Sequence, residues 1–195
     1  MPLAARVTAA LASHPAVKEV ELVGSRAEGR ATEFSDWDFR VTTDHFEDLA
    51  ADLPRLVAEL EPLAQQWDRL SPSWCYMLIL RGPVKVDLIF PDEPHLDDPP
   101  WQPDADNLNA LDAHFWDWML WLHSKEAAGK TERVEEELQK LFDHLLGPLG
   151  AEQPPASPAD AVGSYLELRE RAERELGVTV ARELEYEALP ALGNP

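Results

Sequence analysis

The sequence predicts an α+β fold, in which a mixed sheet flanked by helices is followed by an α-helical bundle. Residues 17–90 contain short apolar segments that alternate with the period of two typical of strands. Residues 107–188 instead carry apolar residues at the three- and four-residue spacing of helices. Between them, residues 91–104 contain five prolines and little periodicity, which indicates an extended connection. We therefore predict domains over residues 1–95 and 96–195.

The predicted N-terminal domain begins with a helix that places Leu3, Val7 and Leu11 on one face. Its predicted strands cover residues 17–23, 36–42, 74–80 and 84–90. A helix should follow the second strand, because Asp44 and Glu47 resemble a capping box. Pro54 is expected to kink or restart that helix. The tight turn at Gly82-Pro83 should join the last two strands.

The predicted C-terminal domain consists of helices joined by short loops. Helices are expected over residues 107–127, 132–146 and 180–188. Another should start at Ser157-Pro158 and stop near Gly177, because these residues are typical of helix starts and ends. Four helices of this length with short loops are typical of a bundle.

The charge of the chain bears on its partners. The 195 residues carry a net charge of −20, of which residues 1–95 contribute −7 and residues 96–195 contribute −13. Proteins that bind a phosphate backbone usually do so with Lys and Arg, so nucleic acid is not expected as a partner. The simplest explanation for most of these charges is a solvated surface that keeps the protein soluble.

The remaining composition bears on the compartment and on the types of site. Cys75 is the only cysteine, which excludes an internal disulfide and a cysteine-based zinc site. No apolar run is long enough to span a bilayer, so no membrane association is expected. The N-terminal residues lack a basic segment followed by a dense hydrophobic core, so we interpret them as a helix and not a signal peptide. A cytoplasmic protein is predicted.

The first candidate site residues follow the strand that ends at Val23. Gly24 allows the backbone to approach a ligand closely, amide groups at this turn can bind a phosphate, and Ser25 adds a hydroxyl. On the next predicted strand, Asp36 and Asp38 are two residues apart and share a face. Paired carboxylates suit Mg²⁺, which usually keeps its other positions for water and substrate phosphate.

A third carboxylate, Asp87, interrupts the otherwise apolar strand over residues 84–90. An unpaired buried carboxylate is costly, so this position predicts a functional role. Three aspartates on two neighbouring strands could hold two metal ions about 4 Å apart and promote an in-line phosphoryl displacement. Lys85 shares the face of Asp87, where it could neutralise a phosphate or pair with the aspartates. Arg26 could contact a phosphate or be a surface arginine.

The run GSRAEGRATEFSDWDFRV, followed by Asp87 on a later strand, resembles the signature of the polymerase β-like nucleotidyltransferase superfamily. The resemblance covers residues 17–90 and is closest to bacterial small-molecule and minimal nucleotidyltransferases. In general character only, the C-terminal half is similar to the helical substrate domain of aminoglycoside nucleotidyltransferases. The fold implied is a polymerase β-like catalytic domain followed by a helical acceptor domain.

The resemblance implies metal-dependent transfer of a nucleoside monophosphate, which we expect to be AMP from ATP, to an acceptor with release of pyrophosphate. Asp36 and Asp38 would bind two Mg²⁺ ions, and Asp87 the one nearest the attacking hydroxyl. Gly24 and Ser25 would contact the triphosphate, with Arg26 and Lys85 as further nucleotide-binding candidates.

The acceptor implied by the resemblance and by the charge is a small cationic molecule such as an aminoglycoside-like antibiotic, which would connect the protein to antibiotic resistance. Asp112 and Asp117 are candidate general bases, between which the sequence does not choose. One alternative is a protein-modifying, antitoxin-type enzyme, although such relatives usually lack a second domain. Another is a silent nucleotide-binding module, although all three aspartates are present.

Overall fold

The computed structural model describes residues 1–193 and divides into two compact units, Met1–Asp98 and a second that begins at Pro99. The division lies three residues after the predicted boundary. The reason is local, because the last strand of the first unit continues to Pro94. Beyond it, the backbone amides of His95 and Asp98 donate hydrogen bonds to the carbonyls of Pro72 and Arg69 (3.1 and 2.8 Å).

The first unit is a five-stranded mixed sheet with helices, as the α+β prediction requires. The strands are β1 Val17–Leu22, β2 Trp37–Thr43, β3 Ala64–Trp67, β4 Ser73–Leu80 and β5 Val84–Pro94. The helices are α1 Leu3–Ala12, α2 Gly24–Ala27 and α3 Phe46–Leu56, with a 3₁₀ turn at Ala58–Leu60. The strand order is β1-β2-β5-β4-β3. Only β2 and β5 pair in parallel, and the other neighbours are antiparallel.

Strand alternation separates an apolar face of this sheet from a polar one. Phe39 and Val41 of β2 lie in the same core as Val86, Leu88 and Phe90 of β5. The helices contribute Val7, Leu11, Leu49 and Leu53 to that core. Since successive side chains of a strand point to opposite faces, Asp38 and Asp87 project from the other face. The hydrophobic core therefore fixes the direction of both aspartates.

Two details of the first unit differ from the sequence prediction. Strand β3 was not predicted, because its sequence AQQW has no apolar alternation and it forms by antiparallel pairing with β4. The predicted capping box is also wrong. Helix α3 starts after His45 without a side-chain cap, and the carboxylate of Asp44 pairs with Lys18 on β1 instead. Pro54 lies inside α3, which continues to Leu56.

The second unit is helical. It contains α4 Leu108–Ala127, α5 Thr131–Leu141, α6 Pro158–Leu176 and α7 Glu183–Ala191, with a π-helical turn at Phe142–Leu146 after α5. The predicted start and stop of α6 are confirmed. The hydroxyl of Ser157 accepts a hydrogen bond from the Asp160 amide (3.1 Å), and Gly177 ends the helix with φ +70°. Within residues 1–193, no helix is both long enough and apolar enough to cross a bilayer.

A buried polar network joins helices α4, α6 and α7. One carboxylate oxygen of Asp112 accepts hydrogen bonds from Tyr165 (2.6 Å), Arg169 (3.0 Å) and Trp116 (3.3 Å). Arg169 also pairs with Glu185 of α7 (2.6 Å). Burial raises the pKa of Asp112, and its hydrogen-bond donors oppose that shift. Through these three hydrogen bonds, Asp112 has a structural role in the second unit.

Replacement of Asp112 by alanine should strongly destabilise the protein. The change leaves the guanidinium of Arg169 and the hydroxyl of Tyr165 buried without their shared acceptor, which we expect to cost about 3 kcal/mol or more. The free energy of unfolding should be measured by urea denaturation. The control is Glu167→Ala on the exposed side of α6, which should change that free energy by about 0.5 kcal/mol or less. Equal losses in the two variants would contradict the structural role.

Candidate active site

The centre of the candidate site is the parallel pairing of β2 with β5. Its register places Trp37 beside Val86, Asp38 beside Asp87 and Phe39 beside Leu88. Neighbouring strands lie about 4.8 Å apart, so in-register side chains on one face are close neighbours. The carboxyl groups of Asp38 and Asp87 thus project from adjacent positions on the same face, and both residues are half-buried.

Gly24 brings the backbone against the carboxylate of Asp38. It has φ +67°, a left-handed conformation, and a Cβ built on it would overlap Oδ2 of Asp38. The amide of Val23 donates a hydrogen bond to the carbonyl of Asp38 (2.8 Å), which ties the end of β1 to β2. A side chain at this position would therefore displace the Asp38 carboxylate. Ser25, the next residue of α2, is half-buried.

Asp36, the remaining predicted aspartate, lies in a loop that is hydrogen-bonded to Arg26. Asp36 directly precedes β2, and the Arg26 guanidinium donates hydrogen bonds to the carbonyls of Ser35 and Asp36. The guanidinium also lies 4.2 Å from the ring centre of Trp37. Partial burial lowers the pKa of Arg26, a shift that the carboxylates of Asp36 and Asp38 oppose. Sequence reasoning missed Trp37, whose apolar pattern gave it only a core role.

Lys85 lies two positions before Asp87 on β5, as predicted, and it is 6% exposed. Strand alternation places both side chains on the face opposite the apolar core. Two positions apart on one face, the Lys85 ammonium and the Asp87 carboxylate attract each other. The same position suits charge neutralisation of a bound phosphate.

The donor atoms at this site fit a hard divalent cation. Within residues 1–193, no group of three or more His, Cys, Asp or Glu side chains is arranged to hold a metal ion. Asp38 and Asp87 are brought together by strand register, whereas Asp36 lies outside it in the preceding loop. Two adjacent carboxylates supply the oxygen ligands that Mg²⁺ prefers, and Mg²⁺ commonly uses one or two of them together with water and phosphate.

Comparison with known proteins identifies the first unit. Residues 6–96 match the family model of the nucleotidyltransferase domain, and this range contains every predicted site residue. The chain carries a nucleotidyltransferase domain. The predicted superfamily and the predicted enzyme class, a nucleotidyltransferase, are thereby confirmed.

Other comparisons add little information about function beyond the match to the nucleotidyltransferase domain. A search of curated proteins gave no match. The solved structure of an aminoglycoside 6-adenyltransferase from Bacillus subtilis is similar over 100% of both chains, with a TM-score of 0.37 and 9% sequence identity. At this distance the similarity decides nothing about the substrate or the acceptor.

Replacement of Gly24 by alanine should separate backbone strain from damage to the active site. Gly29 is a matched control, because it also has φ +67° but has nothing within 4 Å of a built Cβ. Both alanine variants should lose about 1 kcal/mol of stability from the left-handed conformation. Only Gly24→Ala also displaces the Asp38 carboxylate, so its rate of nucleotidyl transfer should fall about a hundredfold, as when a catalytic electrostatic group is lost.

Steady-state turnover and thermal unfolding of the two variants would be measured side by side. Equal activity in Gly24→Ala and Gly29→Ala would show that the close approach of Gly24 to the Asp38 carboxylate is not needed for nucleotidyl transfer.

Proposed function

We propose that this nucleotidyltransferase moves AMP from ATP to a hydroxyl of a small, cationic acceptor, with Mg²⁺ and release of pyrophosphate. The observation that carries the metal-dependent part is the register of Asp38 with Asp87, directly beside the backbone of Gly24. In the reaction, the acceptor oxygen forms a bond to the α-phosphorus and the bond to the bridging oxygen of pyrophosphate breaks. Each residue then has a role defined by its position.

The aspartates would hold the metal ions. Asp36 and Asp38 would bind both ions, and Asp87 the ion nearest the acceptor hydroxyl. When bound, the metal ions supply charge neutralisation at the transferring phosphoryl group and make the hydroxyl more acidic. The protein fixes two of these ligands by strand pairing and the third by a hydrogen-bonded loop.

The triphosphate would be bound by the groups around α2. Because Gly24 has no side chain, phosphate oxygens can approach the backbone next to Asp38. Ser25 adds a hydroxyl donor at the next position. The buried ammonium of Lys85 would offset the negative charge that the nucleotide brings to the aspartates. These groups bind and orient the nucleotide for in-line attack.

The proposed acceptor class rests on the negative charge of the chain. The domain division found in the structure distributes that charge more evenly than the predicted one. With the division after Asp98, the two units carry −9 and −11, so they are more alike than the −7 and −13 of the predicted domains. Many carboxylates of the second unit are exposed, as expected for a surface that promotes solubility. Because both units carry a net negative charge, long-range attraction favours a cationic acceptor over nucleic acid.

Replacement of each aspartate by asparagine should test the proposed metal ligands. Asp36→Asn and Asp38→Asn should each reduce nucleotidyl transfer about a hundredfold or more, because a ligand that neutralises phosphate charge is lost. Asp87→Asn should reduce turnover similarly but keep the affinity for a non-hydrolysable ATP analogue with Mg²⁺ within about tenfold, because its ion is assigned to the acceptor side. Turnover would be followed by mass spectrometry and nucleotide affinity by calorimetry.

The control for charge is Asp92→Asn, an exposed position on the same strand as Asp87. It should leave turnover and nucleotide affinity unchanged. Wild-type turnover in Asp36→Asn or Asp38→Asn would contradict the assignment. Complete loss of nucleotide binding in Asp87→Asn would contradict the division of roles between the aspartates.

The acceptor class can be tested with a panel of hydroxyl-bearing cationic, neutral and anionic compounds at fixed free Mg²⁺. Cationic compounds should be turned over best, and the KM of the acceptor should rise with salt, because the screening length falls to about 8 Å at physiological ionic strength. A KM that stays constant over a tenfold change of salt would contradict the electrostatic argument. Turnover only with a protein side chain would favour the antitoxin-type alternative, and turnover only with an RNA 3′ end would exclude both.

A further inference from the structure

The guanidinium of Arg26 is hydrogen-bonded to the loop that carries Asp36. Its Nε donates to the carbonyl oxygens of Ser35 (3.1 Å) and Asp36 (3.0 Å), and its Nη2 donates to that of Ser35 (2.5 Å). All three bonds therefore end on the two peptide units that precede β2. A carbonyl accepts from any donor, but the planar fork of arginine can reach two adjacent ones at once.

The same guanidinium also contacts the first residue of β2. Its carbon lies 4.2 Å from the ring centre of Trp37, within the range of a cation–π interaction. Trp37 is itself packed against the hydrophobic core of the first unit. Arg26 thus connects α2, which contains Gly24, to a ring that the core holds in place.

The loop also has hydrogen bonds of its own. The hydroxyl of Ser35 accepts from the amide of Thr32 (2.9 Å), and the amide of Ser35 donates to the carbonyl of Thr32 (3.2 Å). These bonds close the turn on itself but do not attach it to the sheet. Arg26 connects the Asp36 end of this loop to α2.

We propose that Arg26 is a positioning residue, which holds the backbone of Ser35 and Asp36 so that the Asp36 carboxylate is presented to the metal ions beside Asp38 and Asp87. This proposal rests on the proposed function, because it concerns how one of the proposed metal ligands, Asp36, is held in place. It differs from the phosphate contact predicted from the sequence, because the Nε and Nη2 donors face the protein backbone. A positioning residue of this kind acts through Asp36 and need not touch the nucleotide.

The two roles predict opposite effects on the binding of metal alone. Removing a cation near carboxylates strengthens their attraction for a divalent ion, so a pure phosphate contact leaves Mn²⁺ affinity unchanged or improved. Loss of positioning instead weakens Mn²⁺ binding, since groups that orient metal ligands typically contribute about 10- to 100-fold in affinity. Lysine distinguishes them further, because it keeps the charge but lacks the planar fork.

The experiment uses the full chain with Arg26→Lys, Arg26→Gln and the control Arg30→Gln. Arg30 pairs with Glu28 and is 70% exposed, so its substitution removes the same charge from the same segment without touching the loop carbonyls. Hydrogen exchange would be measured by mass spectrometry on the peptide that spans Thr32 to Trp37, without metal. Mn²⁺ affinity would then be measured by calorimetry without nucleotide.

Both Arg26 variants should remain folded, with exchange in this peptide about tenfold faster and Mn²⁺ affinity about tenfold weaker, whereas Arg30→Gln should match the wild type. Unchanged exchange in the Arg26 variants would overturn the proposal. So would Mn²⁺ affinity in Arg26→Lys equal to that of the wild type. If Asp38→Asn leaves Mn²⁺ binding unaltered, the proposed function fails, and the exchange result still decides whether Arg26 holds the loop.

Discussion

The parallel pairing of β2 with β5 is the constraint on which the site depends. One register brings Asp38 beside Asp87, and the neighbouring positions bring Phe39 beside Leu88 in the core. A shift by one residue would turn the apolar side chains to the polar face and the aspartates into the core. The free energy gained by burying the apolar face therefore also keeps two like charges next to each other. A divalent cation bound between them would relieve that repulsion and would couple metal binding to the fold.

The remaining parts of the site are attached to this pair by backbone contacts. Gly24 places α2 against the Asp38 carboxylate, and the bond from Val23 to the carbonyl of Asp38 fixes the end of β1. Arg26 binds the carbonyl groups around Asp36. Hydrogen bonds to main-chain carbonyls thus hold the segments that carry the charged side chains.

The sequence predicted the strands that alternate and the aspartates that interrupt them, because both are local patterns. It did not predict β3, whose residues have no apolar period and which exists through its pairing with β4. The aspartates were predictable as candidates, but strand order decides that Asp38 and Asp87 are neighbours. The hydrogen bonds of Arg26 could not be predicted from the sequence for another reason. Its acceptors are backbone carbonyls, which every residue possesses and no sequence pattern marks.

We expect the strand register at Asp38 and Asp87 to create a metal position for nucleotidyl transfer. The most direct measurement is anomalous diffraction from crystals of the protein grown with Mn²⁺ and a non-hydrolysable ATP analogue. We expect an anomalous peak within about 2.2 Å of carboxylate oxygens of both Asp38 and Asp87, in contact with the triphosphate. Nucleotide bound with Mn²⁺ at a position that neither aspartate contacts would contradict it.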